Sequence, residues 1–388
     1  MGQVTFFAYD LAEASQIRRI ESVRWLGHDV RSVSFRRRNM NLNFEPAWPN
    51  LKLGQTTNQN FLKRLGQLGR AVLRCWRERQ FLDDSDVWIA RNFDMLAMAW
   101  AVRALTQRKD VRLVYECLDI HGLFTRPDMI GRLMRWLERR LLSRTALLVV
   151  SSPGFLRAYF GPIQGYDGPV SLVENKIWQQ EGSSQRPSAP RQAAVDGPLV
   201  LGWVGSLRCQ TSLDLLAAAA LHLGPKLQVV FHGNVHHHAV ENFDAIVAAH
   251  DNITHAGPYK YPDDLGPIYA SCDLVWSQDL WQRGANSDWL LPNRIYEAGF
   301  HACPSIAVAG TETGRRIAEE RMGFVIDEPS VGLLTELLTS LTPAAIAEAS
   351  RRLLEMPESK FRMFPEELES LLAPVLPPEA RDLVDAAE

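Results

Sequence analysis

The amino-acid sequence predicts an α/β protein built from two doubly wound domains. Short apolar runs alternate with helical patterns along the chain, which is typical of parallel βαβ units. The length of 388 residues exceeds what one core of typical size accommodates. A stretch dominated by Gly, Ser and Pro separates two such series of elements, as a linker does. We therefore expect two Rossmann-like domains facing a central cleft, because folds of this kind bind ligands at the carboxyl ends of their strands.

The alternation predicts ten strands and the domain boundaries. The predicted strands are residues 4–9, 29–35, 87–90, 112–116 and 146–151, followed by 199–204, 227–232, 274–277, 305–308 and 323–326. The domains are predicted at residues 1–180 and 198–356, with the linker at residues 181–197. Residues 357–388 form a tail rich in Pro and Glu. We expect a helix at residues 366–372 of this tail, packed back on the N-terminal domain.

The composition is that of an ordinary globular protein, with 46% hydrophobic and 22% charged residues. No run of 18 or more apolar residues occurs, so no membrane-spanning helix is predicted. The apolar N-terminus lacks a basic region before it and is interrupted by Asp10 and Glu13, which favours a first strand over a signal peptide. Five scattered cysteines without a CxxC pair indicate reduced thiols in a cytoplasmic protein.

The charge of the chain is distributed unevenly. Residues 1–175 contain 26 Lys and Arg against 17 Asp and Glu, a difference of +9, whereas the remainder contains 16 against 28, a difference of −12. A basic first half favours an anionic partner, either nucleic acid or an anionic membrane surface. Nucleic acid is not expected, because no nucleic-acid-binding motif occurs and the aromatic residues do not form a stacking platform.

Two stretches of the basic half have apolar residues at helical spacing with arginines between them, at residues 61–77 and 132–144. The first, together with Arg36, Arg37 and Arg38, would form a positive surface. A helix of this kind lies on an anionic membrane, or it packs on the core and exposes a solvated basic face. The sequence leaves both alternatives open for each stretch.

The most informative motif is a loop that enters a helix at residues 291–299. Pro292 suits the first helical turn, where a missing N–H has no effect on the hydrogen bonds of the helix. Asn293, Arg294 and Glu297 supply polar groups in the first turns. The N-terminus of a helix attracts phosphate, and a glutamate one turn further in accepts hydrogen bonds from sugar hydroxyls. The alternative is an ordinary amphipathic helix with a polar start.

A second motif begins the second domain, where a strand at residues 201–204 runs into a glycine turn. Gly205 lets the backbone approach a phosphate, and Arg208 can neutralise that phosphate. The alternative is a structural turn with an exposed arginine, since the third glycine of a dinucleotide fingerprint is missing. Three adjacent histidines follow at residues 236–238. They do not predict a metal site, because successive residues do not share a face.

In the first half, the strand at residues 112–116 is followed by two titratable groups, Asp119 and His121. At a strand end such groups face a cleft, and a carboxylate or a histidine there can take a proton as a general base. Asp119 is the first choice for this role and His121 the second. The alternative is that Asp119 caps the next helix.

These motifs, in this order, resemble the donor site of the GT-B glycosyltransferases, especially the family 4-like group. The residues that fall on the pattern of that group are Pro292, Arg294, Ile295, Tyr296, Glu297, Ala298 and Pro304. The resemblance implies that Glu297 holds the ribose of a nucleotide, while Gly205 and Arg208 contact its pyrophosphate. The group often has another glutamate eight positions earlier, where this chain has Trp289 beside Asp288.

Together with residues 9–11, 18–19, 90–92 and 115–121, the chain looks closest to bacterial succinoglycan-type exopolysaccharide glucosyltransferases. This resemblance implies a hexosyltransferase that moves glucose from UDP-glucose onto a polyprenyl-diphosphate-linked sugar, without a metal or another cofactor. It also implies peripheral association with an anionic membrane surface, at its inner face. Two alternatives remain, a nucleotide-sugar 2-epimerase of the same fold and a catalytically silent scaffold of the polysaccharide machinery.

Overall fold

The computed structural model describes residues 2–37, 44–56, 61–178, 185–193 and 197–375. The chain forms two compact units. Unit 1 consists of Met1–Glu174 together with Pro365–Glu388, and unit 2 consists of Asn175–Phe364. Each is described here by itself.

The first part of the chain supplies seven strands and six helices among the described residues. They are β1 (Gln3–Ala8), α1 (Ala14–Trp25), β2 (Asp29–Arg36), β3 (Asn50–Gln55), α2 (Phe61–Arg77), β4 (Val87–Arg91), α3 (Asn92–Leu105), β5 (Arg112–Cys117), α4 (Gly122–Thr125), α5 (Met129–Leu142), β6 (Leu147–Val150), α6 (Pro153–Phe155) and β7 (Val170–Leu172). A π-helical turn, Leu156–Phe160, follows α6.

The remaining described residues supply the elements of unit 2 and one last helix. They are β8 (Ile177–Trp178), β9 (Leu199–Val204), α7 (Gln210–Leu223), β10 (Leu227–His232), α8 (Phe243–Ala248), β11 (Ile253–Gly257), α9 (Leu265–Ala270), β12 (Leu274–Trp276), α10 (Asn286–Trp289), α11 (Asn293–Phe300), β13 (Ser305–Val308), α12 (Glu312–Glu320), β14 (Gly323–Ile326), α13 (Val331–Ser340), α14 (Pro343–Glu355), β15 (Arg362–Met363) and α15 (Pro365–Leu372).

Each unit is built on a parallel sheet whose order reverses at its first strand. The sheet of unit 1 has the order β3-β2-β1-β4-β5-β6-β7, and that of unit 2 has the order β11-β10-β9-β12-β13-β14. All strand pairs are parallel, and the central strands are buried on both faces, as crossover helices require. The change of direction at β1 and at β9 creates a switch point at the carboxyl edge of each sheet.

All ten predicted strands are present, and no end differs from the prediction by more than one residue. Two edge strands of unit 1 were not predicted, β3 and β7. The pattern of β3 is mostly half-buried or exposed and includes Lys52 and Gly54, and β7 is only three residues long. Edge strands pair on one side only, so their sequences need not show the continuous apolar run of a central strand.

The chain passes from unit 1 to unit 2 earlier than the linker predicted at residues 181–197. The reason is that β8 pairs with β15 inside unit 2. Residues 179–184 and 194–196 of this region lie outside the described residues. The described part is anchored to unit 2, since the guanidinium of Arg191 donates to the carbonyls of Tyr269 and Ala270.

The predicted C-terminal tail divides between the units. Residues 357–364 belong to unit 2, whereas α15 belongs to unit 1. The hydroxyl of Ser171 donates to the carbonyl of Leu371 at 2.6 Å, and the guanidinium of Arg112 donates to that of Val375 at 2.9 Å. These bonds hold the C-terminal helix beside the β7 edge of the first sheet.

Candidate functional site

The residues of the two motifs in the second half meet at the carboxyl edge of the unit 2 sheet. The Gly205 loop follows β9, and α11 follows β12, which is the neighbour of β9 in the sheet. Because β9 is the strand at which the order reverses, these loops border the switch point. Parallel strands bring residues that are far apart in sequence to one edge in this way.

The glycine turn after β9 has a conformation that requires glycine. Gly205 has a φ of +112°, a backbone conformation that L side chains rarely adopt. Its N–H donates to the carbonyl of His232 at 2.8 Å. Gly233, with a φ of +133°, lies so close that an added Cβ would stand 1.8 Å from the carbonyl oxygen of Gly205. The loops after β9 and β10 therefore pack backbone against backbone.

Arg208 lies beside a buried carboxylate that the sequence motifs did not include. Its guanidinium stands 3.4 Å from Oδ2 of Asp279 and 5.0 Å from the ring centroid of Trp281. Burial alone would raise the pKa of Asp279. The charge of Arg208 and the hydrogen bonds from the Ser287 hydroxyl and the Trp281 N–H bring that pKa below its ordinary value. Asp279 is thus ionised and oriented toward Arg208.

The helix α11 contributes Arg294 and Glu297. The guanidinium of Arg294 donates to the carbonyl of Trp276 at 3.4 Å, a long hydrogen bond, and stands 6.0 Å from the ring of Trp203. Burial lowers the pKa of Arg294, and the negative charge of Asp279 opposes that shift. Glu297 is buried and accepts a hydrogen bond from the hydroxyl of Tyr269 at 2.9 Å.

The start of α11 leaves backbone donors available to a ligand. Pro292 is the N-terminal cap residue and provides no side-chain hydrogen bond to the first turn. Asn293, the first helical residue, is half-buried. The first N–H groups of a helix have no partner within the helix, so they attract an anion. This end of α11 has the properties that the sequence predicts for a phosphate contact.

Gln278 connects two of the loops that surround these groups. Its side-chain oxygen accepts hydrogen bonds from the N–H of Val308 and the hydroxyl of Thr311, each at 3.1 Å. Thr311 in turn caps α12 by accepting from the N–H of Gly314. The loop after β13 is therefore tied to the loop that carries Asp279.

The position at which the family 4-like group often has a second glutamate lies in α10. Trp289 is half-buried there. The carboxylate of Asp288 accepts a hydrogen bond from the N–H of Gly284 at 2.8 Å and stands 3.4 Å from the guanidinium of Arg283. Asp288 thus organises the turn that precedes the helix.

The two candidate bases of the first half, Asp119 and His121, lie in unit 1 after β5. Both side chains are exposed. His121 is the cap residue of α4, and its Nδ1 accepts a hydrogen bond from the N–H of Leu123 at 3.2 Å. The capping role that the sequence offered as the alternative for Asp119 therefore belongs to His121.

The end of β5 also carries an ion network, and the sequence motifs assign no role to its charged residues. The carboxylate of Glu116 accepts from Nε of Arg19 at 2.7 Å and from Nε of Arg91 at 2.9 Å. Burial alone would raise the pKa of Glu116, but the two arginine charges lower it to about 2. Arg91 also donates to the hydroxyl of Ser15 at 2.9 Å. These groups hold the ends of β4 and β5 against α1.

The described residues contain no group of three or more His, Cys, Asp or Glu side chains placed to hold a metal ion. Of the adjacent histidines, His236 and His238 have ring centroids 5.7 Å apart. Burial lowers the pKa of His236, and the nearby charge of Arg208 lowers it further. His236 is therefore a neutral neighbour of the arginine.

Comparison with known proteins gives the class and the family. No protein-family model matches the chain. Among solved structures, the fold is similar to sucrose-phosphate synthase (tll1590) from Thermosynechococcus elongatus, with a TM-score of 0.73 at 13% identity over 100% of both chains. It is similar to Alr3699/HepE of Anabaena in complex with UDP and glucose, with a TM-score of 0.64 at 13% identity over 100% and 99%. It is also similar to WaaG, a glycosyltransferase involved in lipopolysaccharide biosynthesis, with a TM-score of 0.56 at 16% identity over 95% and 99%.

These folds and the switch-point site define the GT-B glycosyltransferases, and the predicted fold class is confirmed. In sequence, the chain is 36% identical over 355 residues to the succinoglycan biosynthesis protein ExoL of Rhizobium meliloti (strain 1021), covering 91% of this chain and 88% of that protein. The chain belongs to the family of ExoL and is an enzyme of the glycosyltransferase class. None of the helices within the described ranges is long and apolar enough to cross a membrane.

Proposed function

We propose that the chain is a hexosyltransferase that moves glucose from UDP-glucose onto a polyprenyl-diphosphate-linked sugar in exopolysaccharide biosynthesis. The observation that carries this proposal is the group of Arg208, Arg294 and Glu297 at the switch point of unit 2. A nucleotide sugar has a diphosphate and a ribose diol, which need positive charge and a hydrogen-bond acceptor, respectively. These three side chains supply both.

In this proposal, Arg208 and Arg294 neutralise the diphosphate, which also contacts the backbone of Gly205 and the start of α11 at Asn293. Glu297, held by the hydroxyl of Tyr269, accepts hydrogen bonds from the ribose. Two guanidinium groups and a helix N-terminus give the charge that a divalent cation would otherwise give. We therefore propose catalysis without a metal or a further cofactor.

The transfer itself forms a bond between the acceptor hydroxyl oxygen and the anomeric carbon. The bond from that carbon to the β-phosphate oxygen breaks, and UDP leaves with the electron pair. In an inverting transfer, a base takes the proton of the acceptor hydroxyl. We propose Asp119 of unit 1 for this role, with His121 as the second candidate.

One relative and one protein of similar fold support the choice of substrates. ExoL is named for succinoglycan biosynthesis and shares more than a third of its aligned residues with this chain. HepE of Anabaena, which shares the fold, was solved with UDP and glucose. A lipid-linked acceptor at the inner face of the membrane also agrees with the basic residues of unit 1, such as Arg132 and Arg140.

Thermal unfolding with a panel of nucleotides and nucleotide sugars tests the donor site. UDP or UDP-glucose at about 100 times its Kd stabilises a binding protein by about 2.7 kcal/mol. We expect this shift in Tm for the wild type and its loss in Glu297→Ala. Glu336→Ala, which removes an exposed glutamate of α13 in the same unit, should retain the shift.

The absence of a shift with every nucleotide would contradict the proposal. Product analysis then separates the remaining functions. Incubation with UDP-glucose and a polyprenyl-diphosphate-linked sugar should extend the lipid-linked product. An epimer formed without acceptor, or binding without any turnover, would contradict transfer.

A further inference from the structure

The outer face of α5 is apolar. Met129, Ile130, Leu133, Trp136 and Leu137 all project from this helix into solvent, with Met129 71%, Leu133 56% and Trp136 52% exposed. We call these five residues the α5 face. Their spacing of three, four, seven and eight residues places them on one side of the helix.

The opposite side of α5 faces the core of unit 1 and contains a buried carboxylate. Glu138 is fully buried there, and its carboxylate accepts hydrogen bonds from the hydroxyls of Tyr115 and Tyr159 and from the amide of Gln164. A surface helix of a globular protein normally turns its apolar stripe toward the core. The core side of α5 buries Gly131, Glu138, Leu141 and Leu142, while five large apolar side chains remain outside, so burial within unit 1 does not account for the α5 face.

The apolar exposure continues on the neighbouring helices. Helix α3 packs against both α2 and α5, so the three lie in one layer of unit 1. Trp100 of α3 is exposed, and so are Leu65, Leu73 and Trp76 of α2. Large apolar side chains scattered singly are normal on a surface, but three aromatic residues and several aliphatic ones on one layer mark an interaction site.

The charged side chains of α2 and α5 that the structure describes as reaching solvent are basic. Helix α2 contains no acidic residue, and the one acidic residue of α5 is the buried Glu138. Arg132 and Arg140 of α5 are exposed beside the α5 face, and Arg70, Arg74 and Arg77 are exposed on α2. Among the described residues, none of these five arginines has a carboxylate partner.

We propose that the α5 face, together with the exposed apolar residues of α2 and α3, docks on an anionic lipid bilayer. The inference rests on the proposed function, since a lipid-linked acceptor requires the enzyme to reach a membrane. Helix α5 lies in the plane of the interface, its apolar side chains enter the boundary between headgroups and acyl chains, and the arginines contact lipid phosphates. Trp136 and Trp100 suit this boundary, where one side of the ring is apolar and the other hydrated.

A second copy of the chain fits this surface less well. A two-fold interface would place the α5 face against its own copy and bring the arginines of α2 and α5 close to like charges. An anionic bilayer has an apolar interior for the exposed hydrophobic side chains and negatively charged headgroups for the arginines, so it matches the surface in both respects.

Flotation of the full chain with vesicles tests the proposal. The wild type should bind vesicles of phosphatidylglycerol and phosphatidylcholine, bind pure phosphatidylcholine weakly, and lose binding as salt rises. Leu133→Glu/Trp136→Glu should lower the partition coefficient at least about tenfold. Arg132→Gln and Arg140→Gln should each lower it roughly fivefold, from the attraction of one basic residue to an anionic surface.

Leu221→Glu provides the matched control, because Leu221 is 71% exposed on α7 of unit 2. It should leave vesicle binding unchanged. Undiminished binding of Leu133→Glu/Trp136→Glu to anionic vesicles overturns the proposal, and so does a wild type that binds neither vesicle. A wild-type dimer that the same double substitution dissociates, without vesicle binding, would assign the face to a second copy and also overturn it.

The Tm shift with UDP, measured without vesicles, separates this proposal from the proposed function. The vesicle-binding variants should retain that shift, because their substitutions lie in unit 1 and on its surface. A protein that binds UDP but no vesicle would disprove the docking surface alone. A protein that binds anionic vesicles through the α5 face but no nucleotide would disprove the donor site alone.

Discussion

The two units have parallel sheets of similar order but use the arginines near the carboxyl edge of each sheet differently. In unit 1, Arg19 and Arg91 contact the carboxylate of Glu116 at 2.7 and 2.9 Å. In unit 2, Arg208 stands 3.4 Å from Asp279, and the guanidinium of Arg294 donates to the carbonyl of Trp276 at 3.4 Å. The same residue type at the same edge of the fold is tightly paired in one unit and loosely held in the other.

This difference suggests that the arginines of unit 1 serve the stability of the fold and those of unit 2 serve ligand binding. In unit 1, the buried arginines and the carboxylate of Glu116 compensate each other's charge at short distances, so removal of one partner should destabilise the fold. Long contacts leave donors that a ligand phosphate can take up, so those of unit 2 are suited to binding. Substitutions in the first group should therefore reduce stability, and substitutions in the second should reduce nucleotide affinity.

The largest expected effect is that of Glu116→Gln. Removal of the carboxylate leaves two buried arginines without a negative partner, and breaking a buried ion pair lowers the free energy of unfolding by about 3–5 kcal/mol. Urea denaturation measures this loss. Glu21→Gln, at a half-exposed pair with Arg24, should lose less than about 1 kcal/mol. Equal losses in the two variants would contradict the structural role of Glu116.

The pH dependence of the two buried glutamates of unit 1 should have opposite signs. The pKa of Glu116 is lowered to about 2, so its contribution to stability is present above pH 4.5 and is lost as the pH falls toward 2. Burial raises the pKa of Glu138 to about 7, and the hydrogen bonds from Tyr159, Tyr115 and Gln164 limit this rise. The protonated acid therefore contributes stability below pH 4.5 that is lost as the pH rises through 7.

Glu138→Gln removes this second titration. Relative to the wild type, the variant should gain roughly 3 kcal/mol between pH 4.5 and pH 8, from the difference between the folded and unfolded pKa. Chemical denaturation at both pH values measures the change. A constant difference between the two proteins across this range would show that Glu138 does not titrate there.

The smallest expected effect is that of Asp279→Asn. The amide keeps the acceptor for Ser287 and Trp281 but loses the charge that orients Arg208, so the affinity for UDP should fall about tenfold. Stability without ligand should change by about 1 kcal/mol or less. Titration calorimetry with UDP measures the affinity. Asp273→Asn, whose carboxylate accepts from the N–H of Val200, should leave it unchanged. A loss of stability without a loss of affinity would show that Asp279, like Glu116, has a structural role only.

The local motifs of the sequence were sufficient to find the core strands and to place four candidate site residues after a strand or in the first turns of a helix. Gly205, Arg208, Arg294 and Glu297 stand in short motifs whose chemistry depends on neighbours in sequence, so their place at a strand end or a helix start was predictable. The GT-B fold followed from the alternation of elements and the resemblance. The roles assigned to these side chains, and to Asp119 and His121, stay predictions.

Only the tertiary structure decided which distant groups meet and which side of a helix faces out. Asp279 is 71 residues from Arg208, and Glu116 is 97 residues from Arg19, so no local pattern connects them. Asp119 was selected because it follows a predicted strand, and Asp279 follows a strand as well. Position after a strand does not tell which carboxylate is buried beside an arginine. Periodicity predicts that α5 has two unlike sides. It does not tell which side meets the core. That depends on the side chains that hydrogen-bond to the buried Glu138, and only the fold brings Tyr115, Tyr159 and Gln164 to this glutamate.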